Sequence, residues 1–279
     1  MNILEARGLR FRYGTEPVVD AVSLCLAAGE MLGIIGPNGS GKSTLLRLLS
    51  GVIEPEQGEI RLNGRPLSAY SRRELARLVA VVPQDTLISF PFSVTEVVLM
   101  GRSPHLGGLA FEGDRDLEVA HEAMRRTGVL ELAQRSIHEL SGGERQRVVL
   151  ARAIAQEAAV MLLDEPAAFL DIRHQVGIYD LLHDLQGEGK SIVTVLHDLN
   201  LTSMYCDRVA LLKHGRLVAA GPPESVITYR CITEVYETEV YVTTNDVTGG
   251  INVLPLSRRY RDALQASSPP CKGRDRSQT

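Results

Sequence analysis

Two stretches of the chain offer backbone N–H groups and fixed charge to an anion. Gly36-Pro37-Asn38-Gly39-Ser40-Gly41-Lys42-Ser43 fits the pattern G-x-x-x-x-G-K-[ST]. Its glycines let the main chain wrap phosphate groups, Lys42 adds a positive charge near the β- and γ-phosphates, and the Ser43 hydroxyl can ligate magnesium. Thr44 follows, either capping the helix or lying beside the phosphates. The second stretch, ELSGGERQR at 139–147, sets Gly142 and Gly143 before an arginine-rich helix start. A first helical turn leaves its N–H groups without acceptors and pointing outward, so this too is an anion cradle.

Carboxylates complete the first of these sites. VMLLD at 160–164 is an apolar run ending in Asp164, with Glu165 next to it. At the C-terminal end of a strand, Asp164 is placed to hold magnesium and Glu165 to polarise an attacking water, the second half of a nucleoside triphosphatase site. His197 closes another apolar run, IVTVLH, and Gln84 follows Pro83 at the end of RLVAVVPQ.

Strands and helices must bring these residues together. NILEARGLRF and VVDAVSLCLA, separated by the turn-prone YGTEP, predict an antiparallel edge sheet. MLGII is a buried strand that runs into the glycine loop, and STLLRLLSGV after it has helical spacing. EIRLNG and RLVAVVPQ read as further strands. From Asp85 to about Gln156 the texture turns helical: SVTEVVLMGR, then DRDLEVAHEAMRRTGV with Leu117, Ala120 and Met124 on one face, then ERQRVVLARAIAQEA. AVMLLDEP and KSIVTVLHD are buried strands flanking the helix DIRHQVGIYDLLHDLQGEG, which stops near Gly189, and RVALLKHGRLVAAG is a hairpin around Lys213, His214 and Gly215. Apolar strands alternating with helices imply an α/β fold with a mainly parallel sheet covered on both faces. A small hairpin is expected between Tyr229 and Leu256, turning at Asn245-Asp246 or Gly249-Gly250, and residues 257–279 read as a polar, disordered tail.

Composition narrows the class. With 279 residues, 44% of them hydrophobic, the chain can bury a core unaided, and a net charge of −4 supplies no bulk field for nucleic acid. Cys25, Cys206, Cys231 and Cys271 are scattered without a C-x-x-C pair, which argues against zinc and disulfides and for a reducing compartment. The N-terminus breaks its apolar residues with Glu5, Arg7, Arg10 and Arg12, and Val18–Ile35 is interrupted by Asp20, Ser23 and Glu30, so neither a signal peptide nor a spanning helix is expected.

GPNGSGKST, VPQ, LSGGERQR, LLDEP, FLD and VLHD, in this order, resemble the nucleotide-binding subunit of an ATP-binding cassette (ABC) transporter over about residues 2–225. The resemblance implies a P-loop NTPase domain at 1–225 with a helical subdomain at about 85–156, a small extension at 226–256, and ATP and Mg2+ as cofactors. It implies that Tyr13 stacks on adenine, that Gln84 reaches magnesium and the water, that Glu165 is the general base and that His197 contacts the γ-phosphate. Ser141, Gly142, Gly143 and Glu144 would face the γ-phosphate held by Lys42 of a second copy packed head to tail, with Asp171 in the loop that crosses to that copy. Two departures stand out, Ala167 and Phe169, where the family usually has threonine and a small residue.

SFPFSVTEVVLMGRSPH and DEPAAFLDIRHQ further resemble the branch that energises importers of iron–siderophore complexes, haem and cobalamin. The partners so implied are two membrane permease subunits docking on about residues 85–113 and, indirectly, a substrate-binding protein, with the chain peripheral on the cytoplasmic membrane face. A basic tail with Arg258, Arg259, Arg261, Lys272, Arg274 and Arg276 could graze an anionic membrane. A soluble cassette working on DNA or ribosomes, an importer subunit for another metal-related cargo and a non-hydrolysing ATP sensor are the alternatives. The first usually brings long coiled coils or two cassettes per chain, and the sequence has neither.

Overall fold

Strand alternation in the first 27 residues buries Leu4, Ala6 and Leu9 of β1 (Asn2–Arg12) and Val19, Val22, Leu24 and Leu26 of β2 (Pro17–Ala27). The structure, a computed structural model, describes residues 1–84, 88–107, 112–168 and 170–257. The Asp85 boundary, Phe169 and the basic tail from Arg258 lie outside the described residues.

A parallel sheet forms the centre. Its strands are β3 (Met31–Ile35), β6 (Val79–Val82), β7 (Val160–Asp164), β8 (Ser191–Val195), β9 (Arg208–Lys213) and the antiparallel edge β10 (Arg216–Gly221), in the order β10-β9-β3-β8-β7-β6. Every residue of β3, β7 and β8 is buried, because each strand is covered on two faces. The two-residue period sends Leu32 and Ile34 to one side, against α1 (Lys42–Leu49) and the first sheet, and Met31 and Ile35 to the other. In the first sheet, β4 (Gln57–Leu62) pairs with β1 and with the short β5 (Arg65–Pro66), giving the antiparallel order β2-β1-β4-β5.

A separate apolar cluster joins α3 (Val94–Leu99), α4 (Asp114–Arg126) and α5 (Gly142–Ala155) through Val94, Val98, Ala120, Met124, Val148 and Ala151. This is the helical insert expected from the sequence, with one correction: Leu117 is exposed in the first turn of α4, and Ala123 takes the third buried place. Arg126 of α4 ties the insert to the core by a two-pronged bond to Glu188, at 2.6 and 2.8 Å.

The structure adds α2 (Arg72–Leu78), opened by a capping box in which Ser71 and Glu74 satisfy each other's N–H groups, so the strand after it starts at Val79 and not at Arg77. α6 (Ile172–Gly187) ends at Glu188 with Gly189 at φ +94°, as its glycine implied. After β8 come α7 (Leu199–Tyr205) and the β9–β10 hairpin turning at His214-Gly215, then α8 (Pro223–Val226) and α9 (Tyr229–Tyr236). The expected C-terminal hairpin is β11 (Val240–Thr244) with β12 (Ile251–Pro255), its turn held by the Asn245 side chain. Val226, Ile232, Val235, Val240 and Val253 enter the same apolar cluster as the central sheet, so this segment packs as part of the core.

Candidate active site

Because β6, β7, β8 and β3 are adjacent and parallel, their C-terminal ends lie side by side, where ligands of such sheets bind. From these ends come, in order across the sheet, Gln84, Asp164 with Glu165, His197 and the Gly36–Ser43 loop. They surround a cleft of about 580 Å³ lined by Val18, Asn38, Gly39, Gly41, Lys42, Ser43, Thr44, Gln84, Glu165 and His197.

Sequence dictates the loop's path. Gly36 has φ +151°, and a Cβ there would lie 2.3 Å from the Leu212 carbonyl oxygen; Gly41 has φ +97°, and a Cβ would lie 2.4 Å from that of Val18. Only glycine fits either place. Gly41 stands at the N-cap of α1 with no side-chain cap, so the first N–H groups of that helix face the cleft unclaimed. Lys42 Nζ donates to the carbonyl oxygens of Gly36 at 2.8 Å and Pro37 at 3.0 Å. Burial pulls its ammonium below the usual lysine range, while the charges of Glu165 and Asp164 work the other way.

Asp164 is 9% exposed, and its Oδ1 is buried with no hydrogen-bond partner among the described residues. Burial pushes its carboxyl above the ordinary aspartate range, against the Ser43 hydroxyl and Lys42. An unpaired buried carboxylate oxygen beside a hydroxyl is a donor set that a hard divalent cation fits. Glu165 sits in left-handed backbone, φ +52°, an unfavourable conformation for glutamate. There its carboxylate accepts from Gln84 Nε2 at 2.9 Å and pairs with His197 Nε2 at 2.5 Å. Residues 81 and 32 positions away in sequence thus converge on one carboxylate.

Other sequence candidates lie elsewhere. Gly36, Pro37 and Ser40 belong to the loop but do not line the cleft. Tyr13, 60% exposed and edge-on to Phe11 with ring centroids 4.9 Å apart, receives a bond on its hydroxyl from Arg47 and does not line the cleft. Ser141, Gly142, Gly143 and Glu144 open α5 away from the cleft lining, and Asp171 caps α6 by accepting from His174 N at 2.9 Å. Val18, which lines the cleft from β2, carries no chemical group that sequence could flag.

The family model described as ABC transporter matches residues 19–168. The chain belongs to the ABC transporter family. The cassette is an ATP-binding ATPase of a transport system. The hemin import ATP-binding protein HmuV of Streptomyces coelicolor is 48% identical over 250 residues, covering 90% of this cassette and 89% of that protein. The cobalamin import ATP-binding protein BtuD of Halobacterium salinarum is 42% identical over 265 residues, 95% of this cassette and 66% of that protein. Among solved structures, an inward-facing metal-chelate type ABC transporter superposes with a TM-score of 0.81 at 30% identity, over 93% of the cassette and 99% of that chain.

Proposed function

We propose that the cassette powers import of a metal chelate of the haem, iron–siderophore or cobalamin kind, working as one of two copies against two membrane permease subunits supplied by a substrate-binding protein. Import of hemin and of cobalamin by the named relatives supports the cargo class. Among the described residues no helix is long and apolar enough to cross a membrane. In the proposed scheme the cassette acts from the cytoplasmic face through the permease, and no nucleic acid takes part. In this reading residues 1–225 are the nucleotide-binding domain, with its helical subdomain at about 85–156 and an extension at 226–256.

The observation that carries the chemistry is the Glu165 carboxylate held by Gln84 and His197 at the mouth of the phosphate loop. The loop's N–H groups and Lys42 bind the phosphates. Ser43, Asp164 and Gln84 are the residues that would hold Mg2+, which when bound spreads the phosphates' negative charge. Glu165 takes the proton of the attacking water, and His197, already on that carboxylate, fixes its direction and reaches the γ-phosphate. Ser141, Gly142, Gly143 and Glu144 of one copy complete the site of the other with free first-turn N–H groups, and Asp171 lies in the crossing loop; Tyr13 stacks on the adenine. Replacing Glu165 by Gln keeps the side-chain shape and removes the base. Turnover should fall by about a hundredfold or more while ATP stays bound, and undiminished hydrolysis would overturn the assignment.

A further inference from the structure

The phosphate loop is pressed between two strands of different sheets. The Val18 carbonyl oxygen of β2 lies 2.4 Å from where a Cβ on Gly41 would be, and the Leu212 carbonyl oxygen of β9 lies 2.3 Å from the same place on Gly36. β2 belongs to the antiparallel sheet and β9 to the central one, and among the described residues no strand ladder joins the two sheets. Asp20 of β2 joins them instead. Its N–H donates to the Gly215 carbonyl oxygen at 2.8 Å, and Gly215 N donates in turn to Ser40 O of the loop at 3.1 Å. Its side chain, 6% exposed, holds two guanidiniums. Oδ1 accepts from Nε and Nη2 of Arg10, on β1, at 2.9 and 2.6 Å. Oδ2 accepts from Nε of Arg216, the first residue of β10, at 2.8 Å and pairs with its Nη2 at 2.7 Å.

A bulge aims the carboxylate there. The buried positions of β2 run Leu26, Leu24 and Val22 and then Val19, so the two-residue alternation slips by one across Ala21, where the β1–β2 register also shifts. Ala21 takes a left-handed φ of +55°, which a residue with a side chain keeps only where its surroundings over-determine it. A carboxylate removed from water is costly unless it is paired. Neither arginine needs a buried partner, since their side chains are 46% and 73% exposed. An apolar residue would close the seam between the sheets without a charge. What Asp20 adds is a fixed place for Arg216, next to the glycine that holds Ser40. We infer that Asp20 is a positioning residue for the phosphate loop: through Arg216 and Gly215 it sets the spacing of the β2 and β9 walls that seat Gly36–Ser43, and thereby the affinity for ATP. The inference rests on the reading of the loop as an ATP-phosphate site. Coupling of this kind is reciprocal, so ATP in the loop steadies the join at Gly215.

The test uses the full chain and ATP itself. Asp20→Asn, which keeps the shape and removes the charge, should weaken ATP binding by about fivefold or more, raise KM in parallel and leave kcat at saturating ATP unchanged. Arg216→Met should weaken binding in the same direction, and the double variant should bind no worse than the poorer single one, because both changes release the same turn. Arg10→Met, on the other oxygen of the same carboxylate, should lower Tm and leave ATP affinity as it was, since β1 does not touch the loop. ATP should slow exchange of the Gly215 amide in the original chain and much less in Asp20→Asn. Should Asp20→Asn not fold, Arg216→Met, altered at an exposed side chain, carries the same test. Unchanged ATP affinity in Arg216→Met overturns the inference. So do equal losses of affinity in Arg10→Met and Arg216→Met that follow Tm, the mark of a merely structural ion pair. A lack of ATP binding by the original chain overturns the ATP-site reading, and this inference with it.

Discussion

The chain opens two helices on glycine and serine beside basic residues, and the two starts are built differently. At α1 no side chain caps the helix, Gly41 is left-handed, and the exposed N–H groups face a cleft that also holds Lys42, Ser43 and Glu165. At α5 a capping box closes: Ser141 Oγ accepts from Glu144 N at 3.3 Å, and Glu144 Oε2 accepts from Ser141 N at 2.8 Å and from Ser141 Oγ at 2.7 Å. That arrangement satisfies two groups internally and leaves the N–H groups of Gly142 and Gly143 without helical acceptors. The first start turns its uncapped donors toward the cleft. The second folds complete, keeps two spare donors, and has its Glu144 carboxylate engaged in the cap, as expected of half a site whose other half is on another copy.

The largest effects should separate the two starts outright. Lys42→Ala should weaken ATP binding by about a hundredfold, whereas Ser141→Arg should leave binding by a single chain within about twofold and still stop turnover. Mixing the two inactive variants should restore activity, because one composite site in the mixed dimer is then intact. If mixed dimers form and remain inactive, either the split site is wrong or one site cannot turn over alone, and ATP bound at the intact composite site decides between these.

A smaller effect concerns the strain that only the first site carries. The Asp164 carboxyl has its folded value raised by burial, so its ionised form is the disfavoured one. Its contribution to stability is fully present below the unfolded value, near 3.9, and is lost as pH rises through the raised folded value. At neutral pH the ionised carboxylate, with its buried Oδ1 unpaired among the described residues, therefore costs stability. Asp164→Asn should raise the Tm of the nucleotide-free chain by roughly 2–4 °C for each kcal/mol relieved, with the gain vanishing in acid, while turnover is lost. Tm measured against pH for both chains checks this; a variant no more stable at pH 7 than the original contradicts it.

How far these sites were legible follows from the same physics. The phosphate loop was readable because its glycines, lysine and serine are contiguous and flanked by a fully apolar strand and a leucine-spaced helix, and the fold places β3 and α1 there. The family resemblance named Gln84, Glu165 and His197 for one site but not the meeting of Gln84 and His197 on the Glu165 carboxylate, because only the order of strands β6, β7 and β8 makes them neighbours. α2 escaped notice although Ser71 and Glu74 spell its capping box, because seven residues give little periodicity. α9 falls within the stretch from Tyr229 to Leu256 for which the sequence suggests only a hairpin; Ile232, Thr233 and Val235 are β-branched, and tertiary burial of Ile232 and Val235 overrides that preference. The contacts of Lys213 with the end of α9 are long-range and leave no local signal.

The smallest effect tests whether the α5 start is a cap first and a phosphate donor second. Hydrogen bonds from Ser141 hold the Glu144 carboxyl below the usual glutamate range. Its contribution is present above the unfolded value and lost as pH falls through the depressed one. Ser141→Ala removes the cap and should cost about 1 kcal/mol, a drop visible in Tm. Glu144→Gln retains an acceptor for the Ser141 N–H, so at neutral pH it should cost less than Ser141→Ala and should flatten the acid limb of the Tm profile. If the cap is all the turn provides, turnover should track these Tm changes. If Gly142 and Gly143 serve a neighbour's phosphate, Ser141→Ala should lower kcat more than its Tm accounts for, while ATP binding to one chain stays as it was.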